Sequence, residues 1–219
     1  MLFGDFQQQY REYANAKFAI LPVPYDATST WVKGADKGPE AFLDASFTLE
    51  NYDVETGTEA YKHGIATLPF VTEDRTPELL CDKVQQEVTT LLNDGKFPVT
   101  IGGNHTVSIG AIRAMAQKYN NLTVLQLDAH SDLRPSYEGS ELNHACVMNR
   151  AAEVVKITQV GIRSQCVEEL PFFEKDRLFY AHQIFDNNNW QTKAIDTLTE
   201  NVYVTIDLDV FDPSVLSSS

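Results

Sequence analysis

Six short runs of apolar and β-branched residues alternate with amphipathic stretches along this chain. The runs are FAILPV, FPVTI, LTVLQL, VKITQV, LFYA and VYVTI, and turn-forming or polar residues bound each of them. Because these runs are apolar throughout rather than at alternate positions, they predict strands that are buried on both faces. Helices between such strands provide the crossovers that a parallel sheet requires. The pattern therefore predicts an α/β fold, a three-layer α/β/α sandwich with a mainly parallel sheet.

The stretches between the predicted strands have the spacing of helices. The clearest helix follows Thr76, a plausible N-cap with Pro77 at the first helical position, and stops near Gly95. Further helices are predicted over 39–49, 106–118, 144–153, 166–175 and 190–199. No internal repeat, low-complexity tract or linker divides the sequence, so residues 1–219 are predicted to form a single domain.

Charge and cysteine content argue against several classes of protein. The 31 acidic and 17 basic residues give a net charge of −14, which would repel nucleic acid and anionic membrane surfaces. A cationic ligand fits better, although this charge equally suits any soluble acidic protein. The three cysteines show no CxxC spacing and predict neither a disulfide framework nor a thiolate zinc site. With no signal-peptide core and no membrane-length apolar stretch, we expect a soluble cytoplasmic protein.

Three motifs with acidic or histidine residues each follow a predicted strand. GGNH comes after FPVTI, DAHSD after LTVLQL, and DLD after VYVTI. In parallel α/β sheets, ligands bind in the crevice outside the carboxyl ends of the strands. The sequence therefore predicts that these motifs converge on one site, whose candidate metal ligands are His105, Asp128, His130, Asp132, Asp207 and Asp209.

The residue types in these motifs indicate a metal site with two ions. Four carboxylates in one crevice would repel one another unless cations neutralise them, and two divalent ions would do so. In extended backbone, Asp128, His130 and Asp132 would project to the same side. Mostly carboxylate ligands, few imidazoles and no thiolate favour Mn²⁺ or a similar hard ion, with zinc as an alternative. A GGNH turn or a DxD pair alone is more often structural, so their combination carries the prediction.

The three motifs resemble the ureohydrolase (arginase/agmatinase) family, with its GGxH turn, DAHxD strand end and SxDxDxxDP strand end. The resemblance covers nearly the whole chain: VPYDATSTWVKGADKGPEAFLDAS looks like the family's N-terminal segment. DAHSDLRPSYEGSELNHACVMNR is similar to the agmatinase branch in particular. Three positions depart from the family pattern without removing a ligand: Asn104 replaces an acid, Thr205 a serine and Asp44 an arginine.

The resemblance implies an arginase-like fold, two Mn²⁺ per chain and a homo-oligomer. It implies that one manganese binds His105, Asp128, Asp132 and Asp207, and that the other binds Asp128, His130, Asp207 and Asp209. Asp128 and Asp207 would bridge the two ions. The implied substrate is a small cationic guanidino compound, with agmatine hydrolysed to putrescine and urea.

The chemistry of a guanidinium group explains why such a site is needed. Resonance makes the guanidinium carbon a poor electrophile, and two metal ions lower the pKa of a shared water toward about 7. His144, in the loop after DAHSD, takes the family role of proton shuttle, with a capping or solvated histidine as the alternative. The loop LRPSYEGSELNHA lacks the Asn- and Ser-rich pattern with which arginases hold a substrate carboxylate, which favours agmatinase.

Several alternatives stay open at the level of sequence. They are another ureohydrolase acting on arginine or a guanidino acid, a metal-dependent deacetylase, and a catalytically dead metal-binding fragment. A deacetylase would have adjacent histidines, which this chain lacks. The resemblance also implies that the chain stops before the family's last active-site segment, so we expect the 219 residues to release little or no urea. Arg163, in VGIRS, is predicted to be a structural charge.

Overall fold

The computed structural model describes residues 1–185 and 187–216. Ser217, Ser218 and Ser219, where we predict an early stop, lie outside the described residues. The chain divides into two compact units, Met1–Ala111 and Ile112–Ser219. Within the described ranges, no helix is both long enough and apolar enough to cross a membrane. The single domain stays a prediction.

The first unit contains a three-stranded parallel sheet. Its strands are β1 (Phe18–Val23), β2 (Ile65–Thr67) and β3 (Phe97–Gly102), in the order β2-β1-β3. Its helices are α1 (Gly38–Ser46) and α2 (Pro77–Asn93). Helix α2 begins as predicted, because the Thr76 hydroxyl accepts a hydrogen bond from the Leu79 N–H at 3.2 Å. One face of α2 is buried and contributes Leu80, Val84, Val88 and Leu91 to the core.

The second unit contains a four-stranded parallel sheet in the order β6-β5-β4-β7. The strands are β4 (Leu122–Leu127), β5 (Lys156–Ile162), β6 (Leu178–Tyr180) and β7 (Asn201–Ile206). The helices are α4 (Val147–Ala152), α5 (Ala181–Ile184) and α6 (Trp190–Ile195), while α3 (Val107–Lys118) begins in the first unit and ends in the second. Leu127, the last residue of β4, pairs with Val160 of β5 and with Ile206, the last residue of β7. Strands β4 and β7 therefore end at the same level of the sheet.

The two acidic strand ends of the second unit differ in their surroundings. Strand β4 pairs with β5 on one side and β7 on the other, and most of its residues are buried. Strand β7 pairs only with β4 among the described strands. Its Val204 and Ile206 are about half exposed, at 50% and 56%. The DLD motif therefore follows an edge strand, whereas DAHSD follows a central one.

Most of the predicted strands and helices are confirmed, and the deviations have local causes. All described strand pairs are parallel, as predicted. The helix predicted over 166–175 is wrong: only a 3-10 turn forms at Val167–Glu169, because Pro171 lacks an N–H and disfavours helix before it. The helix predicted over 190–199 ends at Ile195, where the Thr197 hydroxyl bonds the Ala194 carbonyl. Strand β2 was not predicted, because it has only three residues.

Candidate metal centre

Asp128 directly follows β4 and is held by its own segment of chain. One carboxylate oxygen accepts a hydrogen bond from the Gln126 side-chain amide at 2.7 Å. The other oxygen accepts the backbone N–H of His130, also at 2.7 Å. The residue is 1% exposed. Asp128 is thus a buried carboxylate that hydrogen bonds hold from two sides.

A pair of buried glutamines extends this support into the sheet. Gln126 and Gln159 are paired in register on β4 and β5. The Gln159 amide donates to the Gln126 side-chain oxygen at 2.6 Å and to the Ser131 carbonyl at 2.7 Å. Sequence analysis missed both glutamines, although each stands one position before the end of a run that predicts a buried strand. A buried amide needs hydrogen-bond partners, and here the partners lead to Asp128.

Asp209 joins the end of β7 to the end of β4. Its carboxylate accepts the Ala129 backbone N–H at 3.0 Å and lies 2.8 Å from Nδ1 of His130. The Asp207 carboxylate accepts the Asp209 N–H at 3.2 Å and so fixes the turn that follows β7. The two motifs that the sequence places 79 residues apart are therefore in direct contact.

The contact between His130 and Asp209 changes the pKa of both groups. The hydrogen bond to Asp209 raises the pKa of His130 to about 9, although burial opposes the shift. Burial acts to raise the pKa of Asp209, but the hydrogen bonds from His130 and Ala129 outweigh it and lower the value. A histidine must be neutral to ligate a metal ion. A metal bound here would therefore replace the proton that His130 and Asp209 share.

The side chains of Asp128, His130 and Asp209 form a group that fits a divalent ion. Each offers one ligand atom, and these atoms all lie within 4.8 Å of one another. Asp132 also offers an oxygen within 4.8 Å of one from Asp128. Carboxylate oxygens with an imidazole and without thiolate suit Mn²⁺ and similar hard ions. Asp207 is next to this group, because its carboxylate accepts a hydrogen bond from the Asp209 N–H.

Asp132 departs from the extended geometry predicted for DAHSD. Its φ is +52°, in the left-handed region that residues other than glycine seldom adopt. Its carbonyl accepts the N–H of Met148 at 2.9 Å and of Asn149 at 3.2 Å. The extended backbone predicted for the motif is therefore wrong at Asp132, although its carboxylate still comes within 4.8 Å of an Asp128 oxygen. The backbone turns there so that the following loop can return to the strand end.

This returning loop, residues 133–147, carries His144. The loop begins after Asp132, and the residue that follows it, Met148, hydrogen bonds back to the Asp132 carbonyl. Within the loop, the Arg134 N–H donates to the Ala145 carbonyl at 3.1 Å. His144 begins a 3-10 turn and stands edge-to-face against Tyr137, with ring centroids 6.0 Å apart and planes at 89°. The structure thus places the predicted shuttle on a loop tied to Asp132. That role itself stays a prediction.

Glu169 is a second residue that sequence analysis missed. It is 4% exposed, and its carboxylate accepts the N–H of Leu133 at 2.8 Å and of Cys166 at 2.7 Å. It therefore connects the start of the His144 loop to the turn after β5. No sequence signal marks it, because it lies in a segment that resembles a helix and its partner Leu133 is 36 residues away.

His105 lies in the first unit, between β3 and α3, and is buried. The turn before it requires glycine, since a Cβ on Gly103 would stand 2.1 Å from the Tyr25 carbonyl oxygen. Asn104, at the family's acidic position, donates from its amide to the Thr28 hydroxyl at 2.9 Å. The departure at Asn104 is therefore accommodated by a neutral hydrogen bond within the first unit.

Comparisons with known proteins agree with this architecture. The model of the family described as "Arginase family" matches residues 16–218. The N(1)-aminopropylagmatine ureohydrolase of Synechocystis sp. is 40% identical over 215 residues, which is 93% of this chain and 70% of that protein. The agmatinase of Bacillus subtilis is 32% identical over 212 residues, covering 93% of this chain and 71% of that one.

A solved structure supports the same assignment. The agmatine ureohydrolase of Thermoplasma volcanium superposes with a TM-score of 0.84 at 32% identity, covering 93% of this chain and 70% of that chain. This similarity confirms the predicted arginase-like α/β sandwich. Because the family model spans almost all of the sequence and these relatives exceed 30% identity, the chain belongs to the arginase family and is a ureohydrolase, a hydrolase that acts on guanidino groups.

Proposed function

We propose that this chain binds two Mn²⁺ and hydrolyses the guanidinium group of agmatine to putrescine and urea. The observation that carries the proposal is the group formed by Asp128, His130 and Asp209, whose ligand atoms lie within 4.8 Å of one another at two strand ends. On the family resemblance, the full ligand set is His105, Asp128, His130, Asp132, Asp207 and Asp209. Asp128 and Asp207 would be shared by both ions.

The protein's own residues have separable tasks in this proposal. Bound divalent ions supply a strong nucleophile near neutral pH by lowering the pKa of water. Gln126 keeps the Asp128 carboxylate turned toward the site, and the Ala129 backbone N–H holds the Asp209 carboxylate. His144 would donate a proton to the amine nitrogen that leaves the guanidinium carbon. Its position on a loop tied to Asp132 supports this assignment.

The choice of substrate depends on charge. Agmatine is cationic at both ends, which suits a protein of net charge −14, whereas arginine and guanidino acids bring a carboxylate that needs a partner. An agmatine with an N(1)-aminopropyl group is a second candidate. The relative that carries this name in Synechocystis is 40% identical, compared with 32% for the Bacillus subtilis agmatinase.

The test combines metal content with urea release from agmatine, N(1)-aminopropylagmatine, arginine and 4-guanidinobutyrate. It should be run on the 219-residue chain and on the chain extended with the C-terminal segment of a relative. We expect two Mn²⁺ per chain. In whichever of the two chains releases urea, we expect kcat/KM to be at least about tenfold higher for agmatine and N(1)-aminopropylagmatine than for arginine and 4-guanidinobutyrate. A preference for arginine or the guanidino acid would contradict the proposed substrate. Bound metal without urea from any form would indicate a dead paralogue.

Two further parts of the proposal concern location and assembly, the second of which rests on the family resemblance. We propose that the protein is cytoplasmic and that it assembles as a homo-oligomer. The cysteines Cys81, Cys146 and Cys166 are free thiols, which suits a reducing compartment. Light scattering of the purified protein would give the number of subunits.

A further inference from the structure

The side chain of Arg163 holds three consecutive backbone carbonyls of the segment that carries Asp209. This segment, residues 207–211, is called the Asp209 loop. The guanidinium donates to the carbonyls of Asp209, Val210 at 3.3 Å and Phe211 at 3.2 Å. A planar guanidinium has five N–H donors in a fixed arrangement, so one side chain can serve several acceptors. Arg163 therefore fixes the backbone of the loop rather than a single charge.

Arg163 is itself bound to the other ligand-bearing segment. Its backbone N–H donates to the Ala129 carbonyl at 2.8 Å, and the next N–H, from Ser164, reaches the same carbonyl at 2.9 Å. Ala129 lies between Asp128 and His130 in the DAHSD motif. Arg163 thus connects the segment after β4, by its backbone, with the Asp209 loop, by its side chain.

Strand β5, which ends just before Arg163, leaves room for a close approach of the Asp209 loop. Gly161 has a φ of +94°, and a Cβ there would lie 2.8 Å from a methyl carbon of Val210. The same Cβ would lie 3.1 Å from the Asp128 carbonyl oxygen. The pairing of β5 with β6 is irregular between Val160 and Ile162, next to this glycine. Gly161 and Arg163 therefore act on the same loop from one strand.

Besides one backbone hydrogen bond, from the Asp207 N–H to the Leu127 carbonyl at 2.9 Å, the Asp209 loop contacts the β4 end through a carboxylate that a metal would claim. The Asp209 carboxylate bonds the Ala129 N–H and Nδ1 of His130. Ligation of His130 and Asp209 by metal would replace the hydrogen bond between them, whereas the bonds from Arg163 to backbone carbonyls would persist. Moreover, a cation close to a metal site repels the metal, so charge alone gives no reason for an arginine here.

We propose that Arg163 is a positioning residue that holds the Asp209 loop in place for metal binding. This inference rests on the proposed function, since it takes Asp209 as a metal ligand. It predicts that loss of Arg163 weakens metal binding, whereas removal of a repelling positive charge alone would strengthen it. The sign of the change therefore distinguishes the two effects.

The experiment is equilibrium dialysis of the purified 219-residue chain against Mn²⁺. We expect Arg163→Ala to weaken one of the two Mn²⁺ by about 10- to 100-fold, as for other residues that orient metal ligands. Arg163→Lys should weaken it by less, because an ammonium can still donate to a carbonyl of the loop but cannot serve three carbonyls in the same plane. Arg75→Ala, which removes an exposed arginine paired with Glu73 in the first unit, is the matched control and should leave binding unchanged.

A double variant tests whether Arg163 acts through Asp209. Asp209→Ala should weaken the same ion, and adding Arg163→Ala to it should have no further effect on the remaining ion. Unchanged or tighter Mn²⁺ binding in Arg163→Ala, with weaker binding in Asp209→Ala, would overturn the positioning role alone. Unchanged binding in Asp209→Ala would overturn the proposed metal site and this inference with it.

Folding is checked separately by thermal melting in chelator. If Arg163→Ala does not fold, Arg163→Lys decides the question. Wild-type Mn²⁺ affinity in that variant would contradict the role of the planar guanidinium, and weaker affinity with an unchanged melting temperature would support it.

Discussion

The ends of β4 and β7 carry similar acidic motifs, yet the structure holds them by different means. Asp128 follows a central strand, is 1% exposed, and is bonded by the side chain of Gln126 in that strand. Asp209 follows an edge strand, and its side chain is 15% exposed. Its loop accepts hydrogen bonds from Arg163, which follows β5. A ligand can thus be fixed by the sheet beneath it or by a side chain from a neighbouring strand.

This difference predicts which substitutions should affect both proposed ions and which should affect only one. A change at the β4 end alters a residue that the sheet interior orients and that we propose both ions share. A change at Asp209 alters a residue that we propose as a ligand of one ion only, so its effect should stay with that ion. The predictions below test this contrast in order of expected effect.

The largest effect is expected from Asp128→Asn. The substitution keeps the shape of the side chain but removes the charge of a carboxylate proposed to bridge the two ions. We expect elemental analysis to show a fall from two Mn²⁺ per chain to less than one. Asp82→Asn, at an exposed position of α2, is the control and should retain both ions. One ion per wild-type chain, undiminished in Asp128→Asn, would contradict the dinuclear site.

A smaller effect, confined to turnover, is expected from His144→Asn. The residue lies on the loop that begins and ends at Asp132, outside the proposed ligand set. Loss of a general acid should lower kcat by about 10²-fold or more, about 2.7 kcal/mol, while both metals remain. Steady-state urea release from the active form measures this. His182→Asn, which removes a histidine stacked on Tyr180, is the control. Wild-type turnover in His144→Asn would remove the shuttle role.

The smallest effect is expected from Gly161→Ala, which tests the support of the Asp209 loop from β5. Left-handed backbone costs an alanine about 1–3 kcal/mol, and contact with Val210 should add to this. Gly139→Ala is the matched control, since Gly139 has a φ of +80° and open space around it. Urea denaturation in chelator should show a larger loss of unfolding free energy for Gly161→Ala. Equal losses would mean that the close approach is unimportant.

The sequence was sufficient to predict what depends on short stretches of chain. Buried runs predicted the parallel strands, and the motifs after them identified Asp128, His130 and Asp209 as neighbours, because parallel strands end at one edge. The helix over 166–175 failed for a local reason that was visible in principle. Its apolar spacing was correct for a helix, but Pro171 prevents one.

What the sequence could not predict depends on register and on distant contacts. Gln126 and Gln159 meet only because β4 and β5 pair in one register, and a shift by one residue would separate them. Arg163 donates to carbonyls 46 to 48 residues away along the chain. Every residue has a backbone carbonyl, so the sequence cannot show which carbonyls an arginine will bind. The proximity of Asp128, His130 and Asp209 was therefore predictable from composition and spacing, whereas the residues that orient these side chains required the structure.

The buried glutamine pair has a consequence for the thermodynamics of metal capture. The amides of Gln159 and Gln126 point their donors in one direction, from β5 through β4 to the Asp128 carboxylate. The rotamer of Asp128 is therefore selected when the sheet folds, before any ion arrives. Immobilising a side chain on binding costs about 0.5–1.5 kcal/mol. At Asp128 this entropy is already lost when the protein folds, so it does not reduce the free energy of metal binding. The interior of the sheet would thus contribute to the affinity of the proposed metal site without touching the metal.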